Sequence, residues 1–249
     1  MKIKRSLLFW AMGNKTNIKA VSLLLVLKRN LGKTSSLCHA SQNKIASCCG
    51  VSPSTIKMYM PVWLRLGLVE WRGKNKDVFV VNKMSARTSH RNVDLSRLDM
   101  SSFWKVYKSL RSFLFLIILS CKELVKRMIR TATDSDDLSE VKKARKFCNR
   151  YAKREKDKDF EYNEYGISLR KIGQKLGFCK RTAESIVDFA VKRRWCRKFN
   201  NYDWTSMPGV NGMYVEGFTF TTMNYGFVIK ANTYSLNRNI CMALIGGSF

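Results

Sequence analysis

Ser54, Thr55, Lys57 and Met58 stand within five residues of one another with no acid among them, and Arg72, Lys74 and Lys76 follow closely. Hydroxyls and cations at this density suit the chemistry of holding a polyanion, by hydrogen bonds and by charge. A second set lies further on, Lys180, Arg181 and Ser185 with Arg197 and Lys198 behind them, but here Glu184 and Asp188 intervene. Those two acids repel phosphate, although a carboxylate can accept a hydrogen bond from cytosine N4. Catalytic groups show no such grouping. His39 and His90 are far apart and do not flank one apolar residue beside a tyrosine, and no carboxylates fall at two-metal spacing on a strand. The chain is therefore expected to be no enzyme, with no cofactor and no small-molecule substrate.

The composition points the same way. Forty-six Lys and Arg against 18 Asp and Glu give a net charge of +28 and a pI near 10.1. Solubility alone needs a charge of only about 2–8, so a polyanionic partner is indicated, nucleic acid before membrane. Basic residues outnumber acidic ones 17 to 3 over 1–95, 17 to 9 over 96–160 and 12 to 6 over 161–249. With 45% hydrophobic residues the chain can also build packed cores, which excludes a disordered basic tail.

The first set needs an element to present it, and residues 43–68 supply one. Ile45 and Ala46 belong to a short helix, Gly50 makes a turn with Val51 behind it, and Ser52 with Pro53 starts a second helix as N-cap and first residue. Ile56, Tyr59 and Trp63 recur at helical spacing and bury one stripe, leaving Ser54, Thr55, Lys57 and Met58 outward. Pro61 predicts a bend or an end after Met60, because an interior proline removes a hydrogen bond at a cost of about 3 kcal/mol or more. The arrangement resembles the helix-turn-helix of DNA-binding domains, whose second helix lies in the major groove. LVEWRGKNKDVFVV follows as a predicted β-hairpin, so the unit resembles a winged helix. The resemblance implies double-stranded DNA contacts from Ser52, Ser54, Thr55, Lys57 and Met58 on the helix. It implies phosphate or minor-groove contacts from Arg72, Lys74 and Lys76 on the wing.

The motif recurs 127 residues later. Ile172 matches Ile45, Gly177 matches Gly50 and Thr182 coincides with Thr55, while Gly173, Leu176 and Phe178 replace Ala46, Cys49 and Val51. Outward positions on this second helix are Lys180, Arg181, Glu184, Ser185 and Asp188. Beyond it the aromatic and amide run Phe199, Asn200, Asn201, Tyr202 and Trp204 is suited to wing or core, with stacking of unpaired bases as an alternative. GFTFTTMNYGFVIKANTY, at 217–234, alternates as two strands around a turn and predicts a second wing.

The remaining segments predict supports. MKIKRSLLFWAMG reads as a helix docked on the first domain, and 18–31 as that domain's first helix, ended by Gly32. Gly32-Lys33-Thr34 matches the tail of a phosphate-binding loop, but the glycine required five residues earlier is Leu27. The polar stretch 85–99, with His90 between Arg87 and Arg91, marks a boundary. Residues 100–130 form a long helix, either the first of a second domain or, through its wide apolar face at 103–128, a homodimer contact. TDSDD starts another helix, with Leu138, Val141, Ala144, Phe147/Cys148 and Tyr151 as a narrow stripe under a basic outer face, and EKDKDFEYNEYG is a loop. The apolar runs at 21–27 and 113–119 are too short to span a bilayer, which takes about 18 residues. Eight cysteines contain no C-x-x-C, so neither a metal site nor a disulfide framework is expected, and a reducing, cytoplasmic setting is.

The expected fold is mainly α with small β-hairpins (α+β): two tandem winged-helix domains joined by long helices. Residues 1–90 form the first domain, 91–101 a linker and 102–249 the second, with a charged helical insertion near 135–156. Such pairs resemble the initiators of theta-replicating plasmids and related phage replication proteins, which implies binding to repeated origin sites. A transcriptional regulator, or a nucleic-acid-coating packaging protein of a phage or mobile element, accounts for the same residues.

Overall fold

A computed structural model describes residues 1–32, 34–73, 75–85, 92–96, 98–154, 167–206 and 225–237. They form β1 (Lys2–Lys4), α1 (Arg5–Ala11), α2 (Lys15–Asn30), β2 (Ser36–Leu37), α3 (Gln42–Cys49), α4 (Pro53–Arg65), β3 (Val69–Arg72), β4 (Val78–Val81) and β5 (Asn92–Asp94), then α5 (Phe103–Asp134), α6 (Leu138–Arg154), α7 (Leu169–Leu176), α8 (Lys180–Lys192), β6 (Cys196–Ser206) and β7 (Tyr225–Leu236). The protein is mainly helical with small antiparallel sheets, an α+β arrangement.

A helix that is apolar all round has to lie inside, and α2 does: every residue from Ala20 to Leu27 is buried. Its one polar member there, Ser22, donates back to the Ile18 carbonyl at 2.7 Å. The helix starts on Asn14, whose side chain accepts from the Thr16 amide. Against α2 pack α3 and α4, and the Trp63 indole, fully buried, donates to the Ala20 carbonyl at 3.1 Å. Strands β2, β4 and β3 make one sheet in that order. Pro61 neither ends nor breaks α4, which continues to Arg65. Buried Met60 and Trp63 on either side of the proline fix that turn by packing, which offsets the missing hydrogen bond.

In the second half α5 occupies the place that α2 has in the first, and it also packs on α2 itself. All of its residues from Ser112 to Ser120 are buried, and α5 as a whole packs against α2, α6, α7, α8 and β7. The apolar middle that suggested a dimer contact is thus used within the chain. Ser112 reaches α8 by donating to the Ile186 carbonyl at 2.8 Å. One residue earlier the Arg111 guanidinium lies 4.7 Å from the Tyr107 ring and 5.6 Å from the Phe178 ring. Residues of both halves belong to one continuous apolar cluster.

Several hydrogen bonds and turns recur at matched positions in the two halves. Ser41 and Ser168 cap α3 and α7 by accepting from Lys44 N and Lys171 N, each at 3.2 Å. Gly50 (φ 63°) and Gly177 (φ 75°) end those helices in the left-handed region. After α4 and α8, Gly67 and Arg194 both take positive φ. Asn82 N donates to Leu68 O and Asn237 N to Trp195 O, closing each sheet at the same point. Helices α7 and α8 begin and end 127 residues after α3 and α4.

Three expectations change. The N-terminal residues are not only helical: β1 pairs antiparallel with β5, which lies in the stretch read as linker. Over the described part of 217–234, Tyr225 onward belongs to one strand, Tyr225–Leu236, paired with Cys196–Ser206, so the aromatic and amide run is its partner. Leu138, placed on the α6 stripe, is instead exposed at the helix start. Lys74, Arg87, His90 and Arg91, the 155–166 loop, residues 217–224 and the C-terminal tail lie outside the described residues.

Candidate nucleic-acid interface

The first turn of α4 is where the chemistry concentrates. Ser52 takes the N-cap place, but its hydroxyl caps no amide. It bonds instead to the Ser54 hydroxyl at 2.8 Å and the Thr55 hydroxyl at 2.9 Å. Sequence spacing alone could not separate these roles, since a serine can serve either. The result is three linked hydroxyls at the positive end of a helix with no acid in its first turn. Ser52, Ser54, Lys57 and Met58 are exposed and Thr55 is half-buried. Met58, 61% exposed, stands out as an apolar side chain the core has not taken.

On the adjoining hairpin the cations are less free than expected. Arg72 is exposed but pairs with Glu70 on the same face of β3, which neutralises part of its charge. Lys76 is exposed at the turn with φ 52°, its amide bonded to the Gly73 carbonyl at 3.2 Å. Lys74 lies between them outside the described residues.

In the second unit Lys180, Arg181 and Ser185 are exposed on α8, and so are Glu184 and Asp188. The constant offset puts Glu184 in the place of Lys57 and Asp188 in that of Pro61, so the charge reverses at the Lys57 position, while Lys180 and Arg181 leave the α8 face mixed. Cys179 replaces Ser52, and its thiol lies 3.3 Å from the Thr182 hydroxyl as Ser52 does beside Thr55. Arg197 and Lys198 do not act together, because neighbours on a strand face opposite ways. Arg197 is exposed opposite exposed Ser235. Lys198 is half-buried opposite Tyr234, whose ring meets Phe115 edge-on at 5.3 Å. Arg193 lies over the Phe189 ring at 5.3 Å.

Thiol environments split sharply. Burial pushes the Cys49 thiol up to about 12, with Cys48 adding to it, and pushes Cys196 up to about 11. The exposed Cys179 is lowered, first by the hydrogen bond with Thr182. Since the thiolate is the reactive form, iodoacetamide at neutral pH should label Cys179 early and leave Cys49 and Cys196 unmodified in the folded protein. Peptide mass mapping over time checks this; early labelling of Cys49 would contradict the burial. Among the described residues no group of three or more His, Cys, Asp or Glu could hold a metal ion, and no helix is long and apolar enough to cross a membrane.

Comparison with protein-family models, with curated proteins and with solved structures finds no match for this chain.

Proposed function

We propose that this protein binds double-stranded DNA through two winged helix-turn-helix modules and serves as a replication initiator of the plasmid or phage type, recognising repeated origin sites. One observation carries the reading: caps, glycine turns and sheet closures recur at matched positions in two units, and the outward face of the leading unit's α4 is free of acids. The order helix, short strand, two helices, then two strands, with sheet order β2-β4-β3, supports a winged helix for the first unit. The net charge of +28 supports a phosphate backbone as partner. Here α4 enters the major groove and reads bases through Ser54 and Lys57, while Lys76 and Arg197 hold phosphates.

Enrichment of bound duplexes from a random pool tests the proposal. Tandem direct repeats beside an A·T-rich stretch are expected; a single palindrome would indicate a regulator, and no enrichment would indicate a coating protein. On the enriched site, Ser54→Ala with Lys57→Ala should lose about 1–3 kcal/mol per base-edge contact removed. Titration on random DNA should show a much smaller loss, and equal losses would remove α4 from base reading.

A further inference from the structure

The two units differ in what lies between their first helix and their capped turn. In the first, residues 31–41 make that connection with the two-residue strand β2; in the second, residues 135–168 make it and contain α6. This helix has no counterpart in the first unit, and the proposed groove-reading surfaces make no use of it. Seven of its residues are basic and one, Glu140, is acidic.

Its geometry separates two faces. Ala144 is buried and Val141 half-buried, and α6 packs back along α5. Lys142, Lys143, Arg145 and Lys146 are all exposed. At about 100° per residue these four fill an arc of about 160° turned away from Ala144. The ion pairs among the described residues involve none of the four. They sit three and four apart, where like charges destabilise a helix. A surface needed only for solubility would intersperse both signs.

We infer that the outer face of α6 is a third contact surface, which grips the phosphate backbone of a DNA duplex without reading its sequence. The inference rests on the DNA-binding reading above. From residue 142 to 146 the helix rises about 6 Å, a length over which a duplex presents about three to four phosphate charges. An anionic membrane fits less well. Helices that lie on bilayers insert an apolar face, and the apolar side of α6 is already seated on α5.

The test replaces Lys142, Lys143, Arg145 and Lys146 together by Gln in the full chain. Binding to the enriched duplex and to random duplex is measured across a salt series. A control variant carries the same charge change at four other exposed lysines, Lys2, Lys4, Lys15 and Lys108. The α6 variant is expected to keep the same enriched sequence and to lose affinity on both duplexes. Its slope of log affinity against log salt should flatten by about 3–4, at roughly 0.9 per phosphate contact. Its melting temperature should not fall, because like-charge repulsion is relieved. An unchanged slope, or the same flattening in the control, would overturn the inference. So would loss of binding to phosphatidylserine vesicles with duplex binding intact, which would assign α6 to lipid. If the unmodified protein enriches no sequence, it is the DNA-reading proposal that fails, and the salt series on random duplex still decides on α6.

Discussion

Gly177→Ala should destabilise the protein by about 2–5 kcal/mol, whereas Gly50→Ala, at the matching position, should lose only about 1–2 kcal/mol. Both glycines end a helix in the left-handed region, with φ 75° and 63°. A side chain there costs about 1–2 kcal/mol at either site. The surroundings make the difference. A Cβ on Gly50 would meet nothing within 4 Å. One on Gly177 would lie 2.6 Å from the Gly13 carbonyl oxygen, 2.9 Å from its carbon and 3.2 Å from the Asn14 Cα. These are backbone atoms that cannot rotate away, and such overpacking adds about 1–3 kcal/mol. Urea unfolding of the two variants beside the parent chain measures the gap. Equal midpoints would mean that the second turn does not rest on residues 13 and 14.

Trp63→Ala should lose about 3–5 kcal/mol, the range for removing a fully buried large aromatic side chain. Trp63 is 0% exposed and links α4 to α2 through its bond to Ala20. Trp63→Phe, which keeps most of the buried ring and loses the indole donor, should fall by about 1–2 kcal/mol, in line with one hydrogen bond and a small void. Thermal unfolding followed by far-ultraviolet circular dichroism distinguishes the two. A Trp63→Ala protein as stable as the parent would show that α4 is not anchored there, and the presentation of Lys57 would need another support.

How far the residues alone carry an observer depends on the range of each interaction. The turn glycines, the stripe of Ile56, Tyr59 and Trp63 and its counterpart in α8, and the starts of α5 and α6 depend on neighbours within a turn or two. They are visible as spacing. The pairing of β1 with β5 joins residues about ninety apart through three-residue strands, and a stretch such as Lys2-Ile3-Lys4 has too little pattern to announce a partner. The pairing of Cys196–Ser206 with Tyr225–Leu236 is hidden in the sequence because the alternation over 217–234 fits two strands around a turn without any outside partner. On the candidate interface, Ser54, Lys57 and Met58 were legible as positions facing away from a buried stripe. The bond from Arg72 to Glu70 was not, since either side chain could have pointed elsewhere. The split between Arg197 and Lys198 follows from strand alternation, but only once that strand is known.

Because α5 covers both α2 and α8, neither repeat owns its whole interior. A fragment truncated before Phe103 would bare the side of α2 that α5 shields, and a fragment starting there would lose the Gly13 backbone beneath the Gly177 turn. The pair resembles two rooms sharing one wall, so taking away either one leaves the other open on that side.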